Sequence, residues 1–141
     1  MQPRQANERT QRAVLFKTEI PRMQVLDDNN TSRKLVVAML QRMGHHTATA
    51  QHGEEALKLL ACQPFDLVLM DVHMPTMDGL DATTRLRQMR SHQRNVPVVG
   101  ITAGALAEDR KKCMAAGMND YLPKPLEAQA FKQVLQRWLG P

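Results

Sequence analysis

Cysteine is scarce. Cys62 and Cys113 are the only two in 141 residues, too few for a disulfide framework and not arranged as a paired metal motif. Long apolar runs are missing as well: Leu35-Val36-Val37-Ala38-Met39-Leu40 is among the longest, whereas a bilayer-spanning helix needs about 20 apolar residues. The amino-terminal stretch MQPRQANERTQR is polar and contains nothing that could serve as a secretory signal. Aromatic residues make up 4% of the chain, and no basic stripe is interleaved with them as a nucleic-acid surface would require. These absences point to a cytoplasmic protein with free thiols and no membrane span.

What is present suits one globular domain. Apolar residues account for 43% and charged residues for 23%, a balance that can close a core without metal or disulfide staples. The formal net charge of +5 is unevenly spread. Residues 1–22 carry five basic side chains (Arg4, Arg9, Arg12, Lys17 and Arg22) against Glu8 and Glu19, while residues 23–141 carry fourteen basic and twelve acidic ones. The sequence therefore divides into a basic, poorly ordered leader or linker (1–22) and a nearly neutral domain (23–141). A basic tail can lean on nucleic acid or an acidic membrane, but with no recognisable DNA-binding helix pair a solvated leader is the simpler expectation.

From residue 23 onward, short aliphatic runs alternate with longer periodic ones. Met23-Gln24-Val25-Leu26, His46 to Ala50, Asp66 to Met70, Val96 to Ile101 and Asp120 to Leu122 read as strands, with Gln24 interrupting the first. Asp66-Leu67-Val68-Leu69-Met70 is apolar after its first residue, as expected of a strand buried on both faces. Helices are expected over Thr31–Met43 (Val36, Leu40 and Met43 inward, with Leu35 and Met39 beside them), Gly53–Ala61 and Leu80–Met89. A basic amphipathic helix follows over Leu106–Ala116, and the last helix carries the stripe Phe131, Val134, Leu135, Trp138. Gly44 and Gly117 are expected helix stops. Five strands alternating with five helices imply a parallel sheet covered on both faces.

The chemistry collects at the strand ends. Asp27 and Asp28 close the first strand, Asp71 the third, Thr102 the fourth and Lys124 the fifth. In a parallel sheet all these ends lie along one edge, and ligands bind there, where strand order reverses. The separations agree: 44 residues from Asp27 to Asp71, 31 from Asp71 to Thr102 and 22 from Thr102 to Lys124, each compatible with whole strand–helix units. Three carboxylates in one pocket repel unless a cation lies among them, and hard oxygen ligands suit Mg²⁺. A carboxylate nucleophile beside a metal and a lysine can form an acyl phosphate. Each residue alone has a plainer reading as a turn, cap or solvent contact; their joint placement favours the site.

At these positions the chain resembles the receiver domains of two-component response regulators and hybrid histidine kinases. The resemblance rests on Val25-Leu26-Asp27-Asp28-Asn29, LMDVHMPTMDGLDATTRLR (69–87), GITAGA (100–105) and AAGMNDYLPKP (115–125), and it covers about residues 23–139. It implies a flavodoxin-like (βα)5 fold, a doubly wound five-stranded parallel sheet in the order 2-1-3-4-5. It further implies that Asp71 is the phosphoacceptor in a two-component phosphorelay. Asp28, Asp71 and the backbone carbonyl of His73 would ligate Mg²⁺, with Mn²⁺ able to substitute, and Asp27 would act through a water. Lys124, Thr102 and the backbone N–H of Ala103 would cradle the phosphoryl group. Thr102 and Tyr121 would be the switch pair, and the Lys124–Pro125 bond would be cis. The implied partner is a histidine kinase or histidine phosphotransfer protein. The sequence after Trp138 leaves little length for an effector, so the chain is expected to be a stand-alone regulator or part of a larger hybrid kinase.

Two other functions compete. A Mg²⁺-dependent phosphatase with an aspartyl-phosphate intermediate ordinarily places a second Asp two residues beyond the nucleophile, and here that position is His73. A nucleic-acid-binding protein would have to rely on the leader. His45, His46 and His52 cluster in sequence without an acidic or cysteine partner, and exposed loop histidines are the plainer reading.

Overall fold

The computed structural model describes residues 20–73, 77–103 and 107–140. The apolar cluster Ala13-Val14-Leu15-Phe16 of the leader lies outside them. Five strands, β1 (Arg22–Leu26), β2 (His46–Ala50), β3 (Leu67–Asp71), β4 (Val98–Thr102) and β5 (Asp120–Pro123), form one sheet. The helices between and after them are α1 (Asn30–Arg42), α2 (Gly53–Cys62), α3 (Gly79–Arg87), α4 (Ala107–Ala116) and α5 (Ala128–Leu139). The strand order is β2-β1-β3-β4-β5, and every pairing is parallel. This is the flavodoxin-like arrangement, with the order reversing between β1 and β3.

Two apolar layers sandwich the sheet. On one face Val36 and Leu40 of α1 meet Phe131, Val134 and Leu135 of α5 over Met23, Val25, Leu67, Leu69, Val99 and Ile101. On the other, Ala56 and Leu60 of α2, Ala82 and Leu86 of α3 and Cys113 of α4 cover Leu26, Val68, Met70 and Val98. The alternation along β3, with Leu67 and Leu69 to one side and Val68 and Met70 to the other, is the period-two consequence of the pleat. Burial of a strand from both sides is why its sequence reads as an unbroken apolar run.

Local chemistry sets the helix ends. Asn29 caps α1 by accepting from the Ser32 N–H at 2.8 Å, and Asp78 caps α3 by accepting from the Asp81 N–H at 2.9 Å, the usual relief for an orphaned first-turn donor. Gly44 (φ 87°) and Gly117 (φ 104°) follow α1 and α4 in the left-handed conformation that favours glycine.

Several elements depart from the sequence reading. Gln24 does not interrupt β1: it is wholly buried, and its Nε2 donates to the Ala56 carbonyl of α2 at 3.0 Å. Strand β4 starts at Val98 rather than Val96, because a 3-10 turn over His92–Asn95 precedes it. Leu35, expected beside the buried face of α1, is 55% exposed, since the face is centred on Val36 and Leu40. Helix α4 is less amphipathic than expected: Cys113 is its sole fully buried residue, and Met114 is 47% exposed.

Candidate functional site

The carboxyl edge of the sheet assembles the polar residues. Leu26 of β1 stands opposite Met70 of β3, so the next residues along each strand, Asp27 and Asp71, are neighbours. Asp71 is paired with Ile101, which puts Thr102 one step further out on β4. Thr102 in turn faces Pro123, and the Lys124 N–H donates to the Thr102 carbonyl at 2.7 Å. The Lys124–Pro125 peptide bond is cis.

Carboxylate oxygens of Asp27, Asp28 and Asp71 lie within 4.8 Å of one another, the one such cluster among the described residues. Asp27 and Asp71 are buried, and Asp28 is exposed at the mouth. Lys124 Nζ lies 3.4 Å from Asp71 Oδ1, an oxygen that also accepts from the His73 N–H at 3.2 Å. Asp27 Oδ1 accepts from the Asn29 N–H at 2.9 Å. Its other oxygen, Oδ2, is buried with no hydrogen-bond partner. Burial raises the Asp27 pKa and the Asp71 charge adds to the rise, while the Asn29 N–H and Lys124 oppose it. Among the described residues, Lys124 is the one cation paired with these three carboxylates, which leaves the pocket short of positive charge.

A side chain the sequence reading overlooked steadies this corner. Arg33 donates from one guanidinium nitrogen to the Asp27 carbonyl and from another to Asn30 Oδ1, both at 2.8 Å. Behind the pocket, Gly79 is required by space: a Cβ there would overlap the Asp71 carbonyl. Its N–H donates to the Val72 carbonyl at 3.1 Å, pinning the return of the chain beneath Asp71.

The structure brings together Asp27, Asp28, Asp71, His73, Thr102 and Lys124. Ala103 is exposed beside them. Residues 74–76 and 104–105 of the quoted motifs, and Leu106 at the expected start of the fourth helix, lie outside the described residues. Tyr121 is half-buried on β5, paired with Gly100. The histidines form no site: His52 caps α2, His46 is exposed on the edge strand, and His45 is half-buried. No helix among the described residues is long and apolar enough to cross a membrane.

A doubly wound parallel sheet with a buried acidic pair, an exposed third carboxylate and a lysine at its switch point defines the class of protein. Residues 23–136 match the response regulator receiver domain family, and the chain belongs to it. Among curated proteins it is 36% identical over 140 residues to the sensor histidine kinase GacS of Pseudomonas protegens, covering 98% of this chain and 15% of that protein. It is 40% identical over 113 residues to the signal transduction histidine-protein kinase BarA of Escherichia coli, covering 80% of this chain and 12% of that protein. The chain thus spans a small fraction of the relatives it matches. Among solved structures it is similar to the receiver domain of sensor histidine kinase PA1611 from Pseudomonas aeruginosa, which has a magnesium ion coordinated in its active site cleft (TM-score 0.79, 35% identity, 87% of this chain and 100% of that one). The chemotaxis protein CheY4 of Vibrio cholerae also superimposes (TM-score 0.79, 28% identity, 85% of this chain and 99% of that one).

Proposed function

We propose that the chain is the phosphoryl-accepting module of a two-component phosphorelay, in which Asp71 takes a phosphoryl group from a phosphohistidine. The donor would be a histidine kinase or a histidine phosphotransfer protein. The observation that carries this reading is the buried Asp71 carboxylate, held 3.4 Å from Lys124 within an otherwise acidic pocket. The pocket fits a hard divalent cation, because the buried Asp27 Oδ2 has no hydrogen-bond partner and three carboxylates share one ammonium. Asp28, Asp71 and the His73 carbonyl would hold Mg²⁺, or Mn²⁺ in its place, with Asp27 acting through a water. The ion, when bound, would neutralise charge on the transferring phosphoryl group.

The protein's own groups divide the remaining work. An Asp71 oxygen attacks phosphorus as the histidine N–P bond breaks, and the released imidazole takes its proton from solvent. Lys124 offsets charge on the transferred group. The Thr102 hydroxyl and Ala103 N–H donate to its oxygens, and Thr102 together with Tyr121 passes the change to the face of α4, β5 and α5. The chain is then a phosphoacceptor, not a turnover enzyme. Residues 23–141 act as the unit, 1–22 serve as leader or linker, and the setting is the cytoplasm, where Cys62 and Cys113 stay reduced.

Intact mass after incubation with a small-molecule acyl phosphate and Mg²⁺ tests this. One alkali-labile phosphoryl group per chain is expected, and none in Asp71→Asn. Undiminished incorporation in that variant overturns the assignment. Steady release of phosphate from simple phosphomonoesters would favour a phosphatase instead.

A further inference from the structure

His73 contributes more to the site than its backbone. Its N–H is directed at Asp71 Oδ1, 3.2 Å away, and its imidazole Nε2 lies 3.4 Å from the Thr102 hydroxyl. One residue therefore touches both the carboxylate assigned as phosphoacceptor and the hydroxyl assigned as switch. Thr102 is fully buried, whereas His73 is exposed at the rim of the pocket.

A threonine hydroxyl has one proton to donate. In the tautomer with the ring proton on Nδ1, His73 Nε2 is an acceptor, and a hydroxyl proton given to it cannot at the same time be directed at an oxygen of a phosphoryl group on Asp71. We infer that the His73 imidazole is a positioning residue that accepts the Thr102 hydroxyl proton in the unphosphorylated protein, so that phosphorylation must break this bond before Thr102 can engage the phosphoryl group. This rests on the phosphoryl-accepting reading of Asp71 and adds a resting-state restraint to it. The restraint acts through Thr102 and needs no contact between His73 and the partner. Because His73 is exposed, water competes for its nitrogen and the restraint is modest. A hydrogen bond of this kind corresponds to about a two- to five-fold change in an equilibrium.

Side-chain reach separates this from a general structural effect. Glutamine can place an amide near the position of Nε2, whereas asparagine is too short and alanine has no polar group. The experiment is a titration with beryllium fluoride and Mg²⁺ as phosphoryl mimic, following backbone amide shifts over residues 107–122. It uses the wild type and His73→Ala, His73→Asn and His73→Gln, each also in a Thr102→Ala background. Thr102 resonances are recorded before the mimic is added. The inference expects Thr102 in the mimic-free protein to group wild type with His73→Gln, and His73→Ala with His73→Asn. It expects the mimic to half-saturate the second pair at roughly two- to five-fold lower concentration, and this difference to vanish without the Thr102 hydroxyl. Equal half-saturation in all four proteins overturns it, as does a difference that persists in Thr102→Ala. Weaker binding in His73→Ala also overturns it, because the imidazole would then serve the anion directly. A wild type that does not respond to the mimic overturns the phosphoryl-accepting reading itself, and the regulatory role falls with it.

Discussion

At the amino-terminal end of the sheet, Arg87 of α3 has every donor matched. Its Nε donates to the Gly117 carbonyl at 3.0 Å. One terminal nitrogen donates to the Arg94 and Val96 carbonyls, both at 2.7 Å, and the other to the Gly117 carbonyl and Asn119 Oδ1, both at 2.8 Å. At the opposite end, Asp27 keeps one buried oxygen unmatched, and of the three clustered carboxylates Lys124 is seen to pair with Asp71. Both clusters are partly dry, and in both burial works against the charge, lowering the Arg87 pKa and raising that of Asp27. The lower cluster is closed and can only stabilise. The upper one is left short of positive charge, which suits the divalent cation proposed for it.

The contrast can be broken most severely at its closed end. Arg87→Ala strands the Gly117 and Val96 carbonyls and should cost about 3 kcal/mol, roughly a 10 °C fall in Tm for a domain of this size. Arg87→Lys should recover less than half, because an ammonium has three donors and no planar fork. Mg²⁺ affinity should be nearly unchanged in both, as checked by thermal melts with and without the metal. Next in size is Gly79→Ala, whose Cβ meets the Asp71 backbone. Overpacking of this kind costs about 2 kcal/mol, and here it should also slow phosphoryl incorporation, read by mass against time.

Asp28→Ala acts at the open end alone. In the wild type, Mg²⁺ at ten times its Kd should stabilise by about 1.4 kcal/mol, a rise in Tm of a few degrees. The variant should lose that rise while its metal-free Tm stays level or increases. The smallest effect concerns acid stability without metal. Burial and the Asp71 charge hold the Asp27 pKa above its unfolded value of 3.8, so the folded state keeps its proton longer. The corresponding stability is fully present below pH 3.8 and is lost as pH rises through the folded pKa. Denaturation midpoints in a chelator should show this decline in the wild type and lack it in Asp27→Asn.

The same contrast separates what the sequence discloses from what it hides. Asp27, Asp71, Thr102 and Lys124 are legible because each ends an apolar run, and parallel strands carry run ends to one edge. Arg87 gives no such signal: it reads as an ordinary cation in the last turn of α3, and its acceptors lie up to 32 residues away in the chain. Gln24 misleads for the same reason. Its Nε2 partner is the Ala56 carbonyl, 32 residues on, so hydropathy alone marks a break where the fold holds a half-paired amide whose Oε1 has no hydrogen-bond partner. Leu35 misleads in the other direction: it is apolar yet mostly exposed, whereas Val37 and Met39, also one step from the Val36 and Leu40 stripe, pack against the core. Periodicity finds elements and their ends, whereas specific long-range pairing decides which exceptions the core accepts.

Trp138 gives the molecule a built-in optical signal. It is the single tryptophan, and its indole N–H donates at 3.0 Å to Asp120 Oδ2. The other oxygen of that carboxylate accepts from the Tyr121 N–H at 2.9 Å. An excited indole is sensitive to a negative charge beside its nitrogen, so displacement of Tyr121 and its strand would alter emission colour and lifetime. Ultraviolet fluorescence could therefore follow β5 in real time without any attached dye.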